Sequence, residues 1–86
     1  MDKHEIITRL REIISLYTEN KDALENINEQ TDFITDLKIN SANLVDIVLD
    51  IEENFSISID NDSMARMLNV KATVDVIESK LAKNAG

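Results

Sequence analysis

Ser41 is the side chain in this sequence whose type and position together suggest covalent chemistry. It heads Ala42-Asn43-Leu44-Val45-Asp46-Ile47-Val48-Leu49, an apolar run carrying acid, so its hydroxyl falls at the entrance of a helix. A serine there has two uses. It can cap the helix with its oxygen, or it can accept a group transferred by another enzyme. Other chemistries lack their parts. His4 is the single histidine, in the exposed first turn of a helix with no cysteine or second histidine, which suits a surface residue rather than a base or ligand. Asp60-Asn61-Asp62-Ser63 begins like a calcium loop but lacks the turn glycine and the closing bidentate acid, so it reads as a helix cap. Asp46 and Asp50 lie one turn apart on a surface helix, too well solvated for either to act as a raised-pKa acid. With no cysteine and one terminal glycine, the chain supplies neither a thiol nucleophile nor a glycine-rich phosphate loop. Neither an enzyme nor a metal site is expected.

The elements that must position Ser41 follow from periodicity. Asp2 and Glu5 form a capping pair, and Ile6, Ile7, Leu10, Ile13, Ile14 and Tyr17 recur at helical spacing, which predicts a first helix over about 3–17. From Thr18 to Thr35 the pattern loosens into a long polar loop with room for a helical turn, anchored by Ala23, Leu24, Ile27, Phe33 and Ile34. The second helix, capped by Asn40 or by Ser41, runs to Phe55. Ser56-Ile57-Ser58-Ile59 is extended loop. Asp60, Asn61 or Asp62 caps a short third helix through Met64, Met67 and Leu68. Asn69 caps the last, where Val70, Val74, Ile77 and Leu81 repeat and Lys80 and Lys83 complement the helix dipole. The expectation is an all-α small four-helix bundle, one domain over 1–86, with a long loop between helices 1 and 2.

Size and charge narrow the function. A domain of 86 residues buries only roughly 60–65% of its unfolded-chain surface, which leaves little room for an enclosed active site. Seventeen acidic against nine basic side chains, a net charge of −8, repel nucleic acid and anionic membranes and favour basic partners. No long apolar run is present, so no membrane insertion is expected, and the chain reads as a cytoplasmic monomer.

The acid is concentrated beside Ser41. Between Lys38 and Arg66 there is no lysine or arginine but six acids: Asp46, Asp50, Glu52, Glu53, Asp60 and Asp62. Laid around a helix, Leu44, Ile47, Val48, Ile51 and Phe55 form one stripe. Val45 and Leu49 fall outside it, on a flank shared with Ala42, Asp46 and Glu53. This apolar pair either packs against a loop or forms a docking surface for a basic partner.

Asp36-Leu37-Lys38-Ile39-Asn40-Ser41-Ala42, followed by Glu52-Glu53-Asn54-Phe55, resembles the acyl carrier protein family. Its pattern is Asp-Leu-Gly-x-Asp-Ser-Leu, then an apolar acidic helix ending in Glu-Glu-x-Phe. The resemblance runs through Ile57-Ser58-Ile59-Asp60 and covers nearly the whole chain. Asn40 and Ala42 replace the residues flanking the serine, Lys38 replaces a small residue, and Asn43 stands at an often acidic place. These departures fall where a phosphopantetheinyl transferase reads its substrate.

The resemblance implies a 4′-phosphopantetheine arm, derived from coenzyme A and covalently attached to Ser41. It implies docking of acyl synthases and transferases, through their basic patches, on Val45, Asp46, Leu49, Glu52 and Glu53. It also implies an acyl-chain lining from Phe33, Leu44, Ile47, Ile51, Ile59, Met64 and Met67, residues that core packing explains equally well. The implied role is carriage of acyl thioesters for fatty-acid or polyketide-type enzymes. The Asn-Ser-Ala variant is more similar to specialised stand-alone carriers, such as those of aryl-polyene pathways. Two other readings stay open: an aminoacyl or peptidyl carrier, and an acidic interaction adaptor bearing no prosthetic group.

Overall fold

Among the described residues, five α-helices and one 3-10 turn are arranged around a cluster of buried apolar side chains. The computed structural model describes residues 2–85 in backbone and 2–82 in side chain, so the Lys83 side chain lies outside the described residues. The helices are α1 (Lys3–Ile14), α2 (Lys21–Glu25), α3 (Leu44–Phe55), α4 (Asn61–Arg66) and α5 (Val70–Ala85). The 3-10 turn, Ser41–Asn43, leads directly into α3. The expected bundle is therefore present, with α2 as a fifth, five-residue helix inside the long loop. Among the described residues there is no strand, only an isolated antiparallel bridge between Asp32 and Asn69.

Helix α1 begins where the Asp2 carboxylate accepts the Glu5 N–H at 2.8 Å, which satisfies a donor that has no partner within the helix. It was expected to reach residue 17 but stops at Ile14. There the chain tightens: Leu16 N–H donates to the Ile13 carbonyl and Tyr17 N–H to that of Ile14, the shorter bonds typical of a helix end. The bend lets the Thr18 hydroxyl donate to the Leu37 carbonyl, a contact that continued helix would prevent. Through Ile6, Leu10, Ile13 and Ile14, α1 supplies the middle of the core and packs against both α3 and α5.

Helix α3 buries Ile47, Val48, Ile51 and Phe55, the expected stripe apart from Leu44, which is half-buried. Its end is set by Ser56, whose φ of 55° is left-handed. The Ser56 and Ile57 N–H groups both donate to the Glu52 carbonyl, in the manner of a left-handed helix cap. Helix α4 ends at Arg66 rather than Leu68. The Leu68 carbonyl is claimed instead by the Phe33 N–H at 3.1 Å, and Val70 N–H donates to the Thr31 carbonyl at 3.0 Å. Long-range bonds have thus peeled the chain off the helix. Asn69 then caps α5 as expected, its side chain accepting the Ala72 N–H at 2.8 Å.

Lys38 has a φ of 56°, a region where a side chain crowds the following carbonyl at a cost of about 1–2 kcal/mol. Replacing it with glycine removes that cost and adds backbone freedom to the unfolded chain, an opposing effect of about 0.5–1 kcal/mol. Lys38→Gly is therefore expected to raise the stability by about 0.5–1 kcal/mol. In urea unfolding this appears as a higher midpoint at an unchanged slope.

Candidate functional site

The approach to Ser41 is held by a dense set of local bonds. Asp32 Oδ1 accepts the N–H groups of Ile34 and Thr35, and Asp36 Oδ2 accepts the Asp32 N–H at 2.8 Å. The Thr35 amide, then that of Ile34, holds the Asp32 carboxyl below its ordinary pKa against an opposing effect of burial. Leu37 N–H donates to the Asp32 carbonyl and Ile39 N–H to that of Phe33. Phe33, Leu37 and Ile39 are all buried. Alternate turns of the loop are thereby fastened to the core, and the chain emerges at Asn40.

At that point the two capping candidates separate. The Asn40 side-chain oxygen accepts the Ala42 N–H at 2.9 Å, and the Asn40 carbonyl accepts the Asn43 N–H at 2.8 Å. Asn40 is the cap. The Ser41 side chain is exposed, and its hydroxyl forms no hydrogen bond among the described residues. A serine whose use was to close the helix would have its oxygen engaged; this one is left free. Leu44 N–H donates to the Ser41 carbonyl, so the amides of residues 42 to 44 are all consumed within the turn. For a phosphodiester on Ser41 there remains the field of α3, worth about 0.3–1 kcal/mol at an exposed helix N-terminus.

Val45 and Leu49 are 51% and 53% exposed, so the apolar pair does not pack beneath a loop. Asp46 and Glu53 are exposed on the same helix. Glu52 differs from them. It is half-buried, and its carboxylate accepts the Ile59 N–H at 2.7 Å, which ties the loop after α3 back onto the helix. Asp50 also has a partner that periodicity did not suggest: the Tyr17 hydroxyl donates to its carboxylate at 2.6 Å. That bond, then burial and the charges of Asp50 and Asp46, push the Tyr17 phenol up to about 12.

Of the seven proposed lining residues, Phe33, Ile47, Ile51 and Met67 lie in the buried cluster, while Leu44, Ile59 and Met64 pack against it half-buried. The structure brings all seven to one core. Two surface clefts of about 430 and 460 Å³ lie elsewhere, one between α4 and α5 around Asp60, Arg66 and Lys80, the other around Asn20, Asn28 and Lys38. None of the seven lines either. In the first cleft the Ser63 hydroxyl and the Lys80 ammonium, 3.1 Å away, hold the Asp60 carboxyl well below its usual range. His4 is exposed, and among the described residues no group of side chains could hold a metal ion.

The sequence profile described as the phosphopantetheine attachment site matches residues 8–77. The acyl carrier protein of Coprothermobacter proteolyticus is 31% identical over 85 residues, covering 94% of this chain and 96% of the relative. That of Thermotoga maritima is 32% identical over 80 residues, covering 92% and 95%. Among solved structures, the acyl carrier protein from Enterococcus faecalis superimposes with a TM-score of 0.75 at 25% identity, covering 93% of this chain and 99% of the other.

The two glutamates at the end of α3 are expected to behave differently. Glu52→Ala deprives the Ile59 N–H of a charged acceptor and is expected to lower stability by about 1–2 kcal/mol, whereas Glu53→Ala changes it by less than about 0.5 kcal/mol. Thermal unfolding of the two variants separates the roles.

Tyr17 predicts a pH dependence. Because its folded pKa of about 12 exceeds the ordinary 10.0, the unfolded chain loses that proton first. The contribution is complete below pH 10 and declines as pH rises towards 12. Tyr17→Phe is expected to be less stable at neutral pH and to lack this part of the alkaline decline in a denaturant series.

Proposed function

The chain belongs to the acyl carrier protein family, defined by its phosphopantetheine attachment site, and from that premise we propose that Ser41 is the attachment residue through which acyl intermediates reach fatty-acid or polyketide-type biosynthetic enzymes. Members of this family are carriers rather than enzymes. The observation that supports Ser41 is its exposed, unengaged hydroxyl beside an asparagine that does the capping. The residue also lies inside the matched segment.

The chain's own groups fit this role. Ser41 offers an acceptor oxygen, and no base within the turn would activate it, so the transferase must bring its own base and metal. The attached arm supplies the thiol that a chain without cysteine lacks, and acyl groups travel on it as thioesters. Val45 and Leu49 present apolar area, flanked by Asp46 and Glu53, to enzymes with basic docking patches. Glu52 contributes charge at the end of that row while keeping its bond to Ile59. Such contacts are steered by charge and short-lived, which suits a carrier that visits several enzymes.

For an acyl chain, the seam formed by Leu44, Ile59 and Met64 is the way into the core, with Phe33, Ile47, Ile51 and Met67 behind it. These residues are half-buried at the surface and fully buried inside, so entry requires them to part. The unbranched methionines repack most readily. The named relatives favour acyl cargo over aminoacyl cargo.

Intact mass measured after incubation with coenzyme A, magnesium and phosphopantetheinyl transferases tests the reading. One phosphopantetheine is expected on the wild-type chain and none on Ser41→Ala. That variant should be as stable as wild type within about 0.5 kcal/mol, because the hydroxyl it removes makes no internal bond. A folded wild-type chain that several transferases leave unmodified would instead be an adaptor without a prosthetic group.

A further inference from the structure

Lys38 is a cation held in the conformation that suits glycine, with a φ of 56°, and its side chain gives nothing back to the fold. It is exposed, and among the described residues it makes neither a side-chain hydrogen bond nor an ion pair. Five other cations are engaged: Lys3 with Glu29, Arg9 with Glu5, Lys80 with Asp60, Lys21 with the Ser15 carbonyl and Arg66 with the Ser63 hydroxyl. Arg11 and Lys71 are as free as Lys38 among the described residues, but they stand in the regular helices α1 and α5 and not at a left-handed residue. Strained non-glycine backbone persists where its surroundings enforce it, and it concentrates at binding and switch sites. Here the surroundings are the buried Leu37 and Ile39 on either side, which fix the backbone and leave the ammonium facing water.

The position of this charge relative to Ser41 determines what it meets. Three peptide steps separate the two residues, at most about 10 Å of chain. Asp46 lies beyond Ser41 by about 8 Å of helix. An enzyme that seats its reacting centre on the Ser41 hydroxyl covers roughly 800 Å² of this surface, so Lys38 and Asp46 both fall beneath it. A cation covered in this way loses water, and no acid of its own chain is bonded to it. Compensation must come from the partner. A uniformly basic face complements Asp46 and Glu53 but repels Lys38.

Resting on Ser41 as the attachment residue, we propose that Lys38 determines specificity for the phosphopantetheinyl transferase. It selects a transferase whose face sets an acidic side chain opposite the loop 37–40, beside basic side chains opposite α3. The surface around Ser41 is bipolar, and its transferase is bipolar in the opposite sense.

The test measures kcat/KM for arm transfer from coenzyme A to the wild-type chain, Lys38→Arg, Lys38→Gly and Lys38→Glu. Two transferases are used: one with a uniformly basic face, and the one encoded by the same host. With the basic enzyme, Lys38→Gly and Lys38→Glu are expected to be modified about tenfold faster than wild type at low salt, with the gap closing as salt rises. With the host enzyme the order reverses: wild type and Lys38→Arg fastest, Lys38→Gly about tenfold slower, Lys38→Glu slower still. A structural role alone would move both enzymes in the same direction, so opposite orders do not arise from altered folding. Equal rates for all four chains, with Ser41 modified, would overturn the role of Lys38 and leave the attachment reading intact. A folded wild-type chain that neither enzyme modifies would overturn both.

Discussion

The burial of Phe33, Leu37 and Ile39 is the constraint on which the rest of this structure depends. Each such side chain contributes about 1.5–3 kcal/mol when removed from water, but burial also strips water from the backbone that carries it. Those polar groups must find partners within the protein. Here they do: Phe33 N–H meets the Leu68 carbonyl, Leu37 N–H that of Asp32, Ile39 N–H that of Phe33, and the Leu37 carbonyl accepts from Thr18. Much of the 31–39 segment is therefore fixed without regular secondary structure. A chain with a modest core gains from this twice, since the loop adds apolar mass and holds the site.

That anchoring also explains how the site can be exposed and still defined. The loop releases the chain at Asn40, whose side chain closes the 3-10 turn. Helix α3 then turns Ile47, Val48, Ile51 and Phe55 inward and leaves Val45 and Leu49 outward. The same 12-residue helix serves as core element and as outer surface. Its acids divide along the same line: Asp50 and Glu52 are bonded to Tyr17 and Ile59, whereas Asp46 and Glu53 are exposed.

What could be read in the sequence was whatever depends on periodicity. The stripes of α1, α3 and α5, the caps at Asp2 and Asn69, and the position of Val45 and Leu49 off the buried stripe all follow from spacing, whereas the exposure of that pair does not. What escaped depends on partners distant in sequence. Helix α1 ends early because Thr18 reaches Leu37, and α4 ends early because Leu68 serves Phe33. Glu52 reads as one of two adjacent surface acids until Ile59 folds back onto it. Helix α2 is a single short turn capped by Asn20, which accepts the Ala23 N–H at 3.2 Å; five residues are too few for a periodic signal. The choice between Asn40 and Ser41 as cap could not be made from composition, since both types cap well, and it decides whether the serine is free.

The two left-handed residues bring these threads together. Ser56 and Lys38 have nearly the same φ, 55° and 56°, and neither is glycine. At Ser56 the conformation has a local return: it directs the Ser56 and Ile57 amides to the Glu52 carbonyl, and the following loop places Ile59 on the Glu52 carboxylate. Backbone strain of about 1–2 kcal/mol is offset there by three hydrogen bonds. At Lys38 the turn does the same for Leu37 and Ile39, both buried, but glycine would serve that turn better and the lysine side chain adds no bond. Stability therefore accounts for the turn and not for the residue that occupies it. A charge kept at such a cost, three residues from an exposed serine and bonded to no acid among the described residues, has its counterpart outside the chain.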